Sequence, residues 1–110
     1  MIALLKRVIE KATGVIPLDA PRRSSGWAKV ERQKLASSPT CAVCDTDEDL
    51  NVHHIRPFYL FPELELELSN LITLCRDHHF LFGHLGSWKS YNIDVVSDAK
   101  AWNDKIKGRP

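Results

Sequence analysis

The residues best suited to chemistry in this chain are three cysteines and five histidines that lie between residues 41 and 84. Two residues separate Cys41 from Cys44, and two separate Cys75 from His78. Such a spacer lets one tight turn present two side chains to the same tetrahedral Zn²⁺, and four ligands close a structural site. The spacing therefore predicts that these four side chains hold one structural zinc ion.

The elements that must position these ligands follow from the apolar periodicity of the sequence. It predicts two short strands, residues 50–55 and 71–74, with a helix that runs from Cys75 to about Leu85. Three further helices are predicted over residues 2–13, 27–36 and 97–106. The apolar side of helix 27–36, which includes Trp27, is expected to pack against the turn at Cys41. The fold class is therefore α+β.

Two other segments carry specific expectations. Glutamate and leucine alternate from Glu63 to Leu68, which predicts a short strand or an anchored loop with its glutamates in solvent. For the last helix we expect Ser97 to act as the cap, and Ala99, Trp102 and Ile106 to share one apolar stripe.

Several chemically capable residues are left over once the zinc ligands are assigned. His53 and His54 are adjacent in the first strand, and successive side chains of a strand point to opposite sides. One core histidine and one exposed histidine would be the ordinary explanation for such a pair. The presence of Asn70 and His79 downstream favours a functional site instead.

The order of these motifs resembles the HNH endonuclease family in its zinc-stapled form. The resemblance rests on the His-His-Ile strand at residues 53–55 and on Asn-Leu-Ile-Thr-Leu-Cys-x-x-His-His at residues 70–79, and it extends from about Trp27 to Tyr91. It implies a small ββα-metal (His-Me finger) core with flanking helices and a zinc knuckle. Residues 1–26 would then be an N-terminal helix and linker, and residues 27–110 the nuclease domain, with a single domain overall.

The resemblance also implies residue roles. His54 matches the general base that takes a proton from the attacking water, and Asn70 matches the residue whose amide braces the loop and so orients His54. His53 and His79 match ligands of one catalytic divalent metal ion, which would be Mg²⁺, Mn²⁺, Ni²⁺ or Zn²⁺. The implied reaction is hydrolysis of DNA to a 5′-phosphate and a 3′-hydroxyl.

This chain departs from the family pattern at two positions. His78 stands where relatives often have a fourth cysteine, and zinc accepts either ligand. His84 follows His79 by five residues, whereas relatives with an additional metal-binding histidine commonly place it four residues on, one helical turn away. His84 could therefore contact the metal or a phosphate, or it could have a purely structural role beside Trp88.

Composition and charge indicate the size of the protein and the kinds of partner it could bind. The chain has 110 residues, 44% of them hydrophobic, which indicates one small globular domain with a modest core. Its odd number of cysteines and the absence of an apolar leader or a membrane-length apolar run predict a reduced, cytoplasmic protein. The net charge is only +1, but basic residues cluster ahead of and along helix 27–36. The candidate DNA-binding residues are Arg22, Arg23, Lys29, Arg32 and Lys34.

Two other functions compete with a nuclease. A catalytically silent zinc module that binds nucleic acid or protein needs only the zinc ligands, but it leaves His53, His54, Asn70 and His79 unexplained. A zinc deaminase needs a His-x-Glu upstream of its Cys-x-x-Cys, and no histidine precedes His53. Sequence specificity, a homodimer or larger nuclease complex, and a phage, defence or mobile-element context all stay open.

Overall fold

A two-stranded antiparallel sheet forms the centre of the protein in the computed structural model, which describes residues 23–109. Strand β1 spans Leu50–His54 and strand β2 spans Leu71–Cys75, paired so that Leu50 lies opposite Cys75 and His54 opposite Leu71. Both strands were predicted. The helix predicted for residues 2–13 and most of the linker after it lie outside the described residues.

Helices surround this sheet. Helix α1 spans Trp27–Ser37, helix α2 spans Arg76–His78 and continues as a π-helical turn over His79–Gly83, and helix α3 spans Val95–Lys107. The chain thus runs from a helix through two strands into a further helix, which confirms the predicted α+β class. Within residues 23–109, no helix is both long and apolar enough to cross a membrane.

The core lies where the turn at residues 41–44 and helix α3 meet β2. Every residue of β2 is buried, and Leu74 is fully enclosed together with Cys41, Val43 and Val95. Asn103 of α3 fastens this contact, because its Nδ2 donates to the carbonyl oxygen of Val43 at 3.0 Å. A core of this size removes little surface from water, which leaves a small domain with modest stability.

The loop between the strands departs from the prediction. It contains two short 3₁₀ turns, Pro62–Leu64 and Leu68–Asn70, and no strand. Glu63 and Glu67 are exposed as predicted, but Glu65 is buried, and Leu66 and Leu68 are more than 40% exposed instead of forming an apolar side. Alternation separates two faces only in an extended chain, and the turns remove that condition.

Helices α1 and α3 also differ from expectation. Helix α3 begins two residues earlier than predicted, and Asp94 precedes it. Ser97, predicted as the cap, lies inside the helix, where its hydroxyl donates a hydrogen bond to the carbonyl oxygen of Asp94. Of the predicted stripe only Ala99 is buried, while Trp102 and Ile106 are more than 40% exposed. Trp27 of α1 packs on His54, at the far end of the sheet from the Cys41 turn.

Candidate metal centres and active site

The four residues predicted to bind zinc lie together where β1 begins and β2 ends. Their sulfur and ring-nitrogen atoms all lie within 4.8 Å of one another. Cys75 Sγ is 3.2 Å from His78 Nδ1 and 4.0 Å from Cys44 Sγ. A tetrahedral ion with Zn–S bonds of about 2.3 Å holds its sulfur ligands about 3.8 Å apart. The cluster therefore has the dimensions of a structural zinc site.

The local backbone places Cys41 and Cys44 on the same side of a tight turn. Asp45 closes the turn by donating its N–H to the carbonyl oxygen of Cys41 at 2.9 Å, and Cys41 N–H donates to Thr46 at 2.8 Å. Asp45 adopts a left-handed backbone conformation with φ of 63°. Aspartate reaches this region more easily than most residues other than glycine. The two-residue spacer and the aspartate after it thus explain the turn.

The electrostatics of the thiols also fit a cation. Burial raises the pKa of Cys41, but hydrogen bonds from the backbone around it, including Val43 N–H, outweigh burial and hold the pKa below its usual value. For Cys44, burial raises the pKa to about 11, and the thiols of Cys41 and Cys75 add to the increase. Three adjacent thiolates repel one another, and a coordinated divalent cation removes that repulsion.

A second cluster consists of His53, His79 and His84, whose ring nitrogens lie within 4.8 Å of one another. His53 is only 4% exposed, and its Nε2 has no hydrogen-bond partner among residues 23–109. An unpaired buried nitrogen is costly, and a bound cation would supply the missing partner. Burial lowers the pKa of His53 to about 3 and that of His79 to about 4, with neighbouring histidines adding to both shifts. Both imidazoles are therefore in the neutral, metal-binding form near pH 7.

A π-helical turn brings His84 to this cluster. His84 N–H donates to the carbonyl of His79, five residues earlier, at 3.2 Å, so the five-residue spacing puts both imidazoles on one side. His84 Nδ1 is 2.8 Å from the carbonyl oxygen of Ser90, which can only accept, so Nδ1 carries the proton. The free lone pair on His84 Nε2 faces His79 Nε2 at 3.2 Å. The donor set thus fits a cation shared by three imidazoles.

Gly83 makes room for this arrangement. A Cβ atom at this position would lie 3.0 Å from Cε1 and 3.1 Å from both ring nitrogens of His53. Real Cβ contacts are essentially never closer than this, and the His53 ring is enclosed. A methyl group at this position would therefore force the enclosed His53 ring to shift by a few tenths of an ångström.

His54 points to the other face of β1, where a hydrogen bond to the loop before β2 orients its ring. Its Nε2 lies 3.0 Å from the backbone carbonyl oxygen of Glu65. Because that oxygen can only accept, Nε2 carries the proton and Nδ1 is left as a basic nitrogen. Burial lowers the pKa of His54, Arg23 lowers it further, and the bond to Glu65 acts in the opposite direction. His54 is therefore a neutral base in a fixed tautomer.

Asn70 ties together the two ends of the loop that carries Glu65. Its Oδ1 accepts from Arg56 N–H at 2.9 Å, and its Nδ2 donates to the carbonyl oxygens of Arg56 at 3.1 Å and Leu64 at 3.4 Å. The residue is 7% exposed. Through Leu64, Asn70 fixes the position of the adjacent Glu65 carbonyl, on which the orientation of His54 depends.

Arg23 lies over the outer side of His54. Its guanidinium is 4.5 Å from the ring centroid of Trp27 and 5.9 Å from that of Phe58, and Trp27 itself packs on His54 at 4.6 Å. Glu65 holds this segment, because its Oε2 accepts from Ser24 N–H at 2.8 Å. This contact holds the segment so that the Arg23 guanidinium lies beside the histidines.

These groups line one pocket of about 290 Å³. It contains Arg23, His54 and the three clustered histidines, together with Trp88 and Tyr91. Among the described residues no carboxylate lines this pocket. Of the predicted DNA-binding residues only Arg23 reaches it; Lys29 and Arg32 are exposed along α1, Lys34 lies near Ala42, and Arg22 is outside the described residues.

Some features of the site could not be predicted from the amino-acid types. The carbonyls of Glu65 and Ser90 orient His54 and His84, and any residue supplies a carbonyl. Trp88, which is 4.8 Å from the ring of His84, was expected only as a structural neighbour. The charge of Arg23 did draw attention to it, but its place over the histidines depends on the buried side chain of Glu65.

Comparison with known proteins bears on this geometry. The family model of the HNH endonuclease matches residues 41–79, which include the zinc ligands, His53, His54, Asn70 and His79. The family resemblance predicted from the motifs is therefore confirmed. Neither the curated proteins nor the solved structures gave a match.

Proposed function

We propose that this chain, whose residues 41–79 belong to the HNH endonuclease family, is a metal-dependent DNA endonuclease. The main support is the single pocket that joins three clustered imidazoles, a basic histidine in a fixed tautomer and an arginine. A pocket with a fixed cation and no carboxylate among the described residues suits an anionic substrate such as a phosphodiester.

Two metal ions have separate roles in this proposal. Cys41, Cys44, Cys75 and His78 hold a structural zinc, and His53, His79 and His84 hold the catalytic divalent cation. When bound, that cation supplies Lewis-acid stabilisation of the charge that develops on the phosphate. A donor set of imidazoles without carboxylates suits Zn²⁺ or Ni²⁺ better than Mg²⁺. We therefore expect faster cleavage with Ni²⁺ than with Mg²⁺.

His54 is the proposed general base. Its Nδ1 takes a proton from the attacking water, while the Nε2–H bond to the Glu65 carbonyl keeps the ring in one orientation. The same carbonyl stabilises the imidazolium that forms after proton transfer. Because burial holds the pKa of His54 below 6.5, the residue is unprotonated and ready to act near pH 7.

Arg23 and Asn70 complete the site in different ways. We assign Arg23 to a non-bridging oxygen of the phosphate, for which a guanidinium is suited by its paired N–H groups. Asn70 is a positioning residue that acts through the loop and the Glu65 carbonyl. Exposed Lys29 and Arg32 on α1 would contact neighbouring phosphates. The products are a 5′-phosphate and a 3′-hydroxyl.

The test is cleavage of supercoiled plasmid in Mg²⁺, Mn²⁺ or Ni²⁺ by the wild type and by His54→Ala, each loaded with one equivalent of zinc. Loss of a general base lowers a rate by roughly 100- to 10,000-fold, so we expect nicking to disappear in the variant. Lys100→Ala, on the exposed face of α3, is the surface control and should cleave as the wild type does.

One outcome would count against a nuclease, and another would count only against His54 as the base. If neither protein cuts with any metal while both are folded and bind DNA, the chain is a silent zinc module. If His54→Ala cuts as fast as the wild type, the base is another residue. Measuring zinc content and circular dichroism of both proteins excludes misfolding as the reason for lost cleavage.

A further inference from the structure

An exposed aromatic surface lies directly beside the histidine pocket. Trp88 is 57% exposed and Leu81 is 55% exposed, and the ring centroid of half-buried Phe80 lies 4.9 Å from that of Trp88. We call these three residues the Trp88 strip. Together with Arg76 and Asp77 they line a shallow depression of about 500 Å³.

The strip is continuous with the candidate active site. The ring centroid of Trp88 lies 4.8 Å from that of His84 and 5.4 Å from that of His79, and Trp88 lines both the histidine pocket and the depression. A single exposed apolar residue would need no explanation, but a contiguous aromatic surface at the edge of a site does. Because Trp88 belongs to the wall of both, a ligand bound in the histidine pocket can extend into the depression across this one side chain.

Charged side chains lie close to the strip. Exposed Arg76 and Asp77 line the same depression, and Lys89, which follows Trp88 in the chain, is also exposed. Cationic groups around an aromatic surface match a nucleotide strand, whose bases stack on rings and whose phosphates bind cations. A protein partner or a lipid surface would not explain why the strip ends at the histidine cluster.

We propose that the Trp88 strip stacks on an unpaired base next to the scissile phosphate, so that the preferred substrate is single-stranded or locally unpaired DNA. This inference rests on the nuclease function proposed above and adds the substrate class. In a duplex both faces of each base are covered by neighbouring bases, so the indole has no face to stack on. An unpaired base offers that face, and its own phosphate lies within one nucleotide of the histidines.

The test compares cleavage of a single-stranded oligonucleotide with cleavage of the same sequence as a duplex, for the zinc-loaded wild type, Trp88→Ala and Trp88→Phe. Stacking on one aromatic ring is worth a factor of roughly 5 to 100 in affinity. We expect the ratio of kcat/KM for single strand over duplex to exceed one in the wild type. It should fall by roughly that factor in Trp88→Ala and be largely retained in Trp88→Phe.

Two further variants separate stacking from general disturbance. Trp102 is 46% exposed on α3 and packs on Phe82, away from the histidine pocket, so Trp102→Ala should leave the ratio unchanged. Leu81→Ser alters the strip without contacting a histidine and should lower the ratio less than Trp88→Ala does. A ratio that is the same in all the variants, or that falls equally in Trp88→Ala and Trp102→Ala, would overturn the inference.

The failure of this inference can be told apart from failure of the nuclease itself. If the wild type nicks plasmid and His54→Ala does not, but Trp88→Ala keeps the wild-type ratio, the chain is a nuclease without a stacking surface. If no DNA is cut, oligonucleotide binding measured by fluorescence anisotropy still tests the strip through the same variants. A wild type that sediments as a dimer, with Trp88→Ala as a monomer, would identify the strip as a contact between copies and overturn the inference.

Discussion

Two clusters of potential metal ligands lie on either side of one short helix, and consecutive residues belong to different clusters. His78 contributes to the sulfur-rich site and His79 to the all-imidazole site. The first site draws on Cys41 and Cys75 of the core and on half-buried Cys44, and His78 supplies its fourth ligand. The second contains no sulfur and opens onto a pocket of about 290 Å³.

The difference shows that the two clusters are suited to different tasks, one to holding the fold together and the other to binding a substrate. Thiolates bind zinc tightly and leave no open position, so the sulfur cluster is suited to holding β2 and the Cys41 turn together. Three imidazoles leave coordination positions for water and substrate, and the pocket gives access to them. Because the two clusters share α2, a zinc ion in the sulfur cluster would also hold the helix that presents His79.

The largest expected effect comes from breaking the sulfur cluster. We expect Cys75→Ala to unfold the chain at ambient temperature, because structural zinc sites contribute about 10 kcal/mol or more to small domains. Loss of far-ultraviolet circular dichroism together with loss of bound zinc measures this. His78→Cys is the matched control, since a fourth thiolate also closes a tetrahedral site. A folded, zinc-free Cys75→Ala would show that the core needs no metal.

A smaller effect is expected from crowding the imidazole cluster without touching its ligands. In Gly83→Ala the added methyl presses on the enclosed His53 ring at about 3.0 Å, so we expect Ni²⁺ affinity and plasmid nicking to fall by roughly 10-fold or more while zinc is retained. Isothermal titration with Ni²⁺ and the nicking assay measure both.

Gly26→Ala provides the matched control for that experiment. Its Cβ would meet Cδ1 of Leu66 at 3.1 Å, a similarly tight contact, but the Leu66 side chain is 43% exposed and can move aside. Equal losses in the two variants would mean that the cluster does not depend on the space at Gly83.

Much of this contrast could be predicted from the sequence, because ligand identity and spacing are properties of the chain. The Cys-x-x-Cys and Cys-x-x-His pairs identified the sulfur cluster, and the strand over 50–55 correctly put His53 and His54 on opposite faces. What could not be predicted depends on backbone hydrogen bonds. His84 joins His79 only because one turn is π-helical, and periodicity assumes a regular helix.

The loop before β2 is a second region where contacts of the backbone could not be predicted from the sequence. The alternation of Glu and Leu predicted solvated glutamates, yet Glu65 is buried. Its side chain accepts a hydrogen bond from Ser24 N–H, and its carbonyl oxygen accepts one from His54. Neither contact follows from residue type, since a carbonyl is common to all residues and Ser24 is 41 positions away. Long-range backbone contacts therefore set the orientation of the proposed base.

The register of the imidazole cluster offers a third prediction. In a regular helix, residues four apart share a face, so deleting Leu81 should let an α-helical turn replace the π-helical one and keep His84 beside His79. Leu81 is 55% exposed, so little packing is lost. We expect Ni²⁺ affinity to change by less than about 5-fold, because the ligand set is retained.

Inserting an alanine after Leu81 is the opposite change and gives a spacing of six residues. Neither helical form then places His84 beside His79, so we expect Ni²⁺ affinity to fall well below that of the deletion variant. If the deletion weakens Ni²⁺ binding as much as the insertion does, the π-helical turn itself, and not the shared face, determines the site.

The smallest expected effect concerns the outer support of the sulfur cluster. Asn103→Ala removes the 3.0 Å hydrogen bond to the Val43 carbonyl, which should cost about 1 kcal/mol and lower the melting temperature by several degrees. Zinc content and nicking should be unchanged, because Asn103 contacts neither cluster. Lys100→Ala, whose partner Asp104 is exposed, is the control, since an exposed ion pair contributes little. Equal melting temperatures in the two variants would show that zinc alone, and not the contact with α3, holds the Cys41 turn in place.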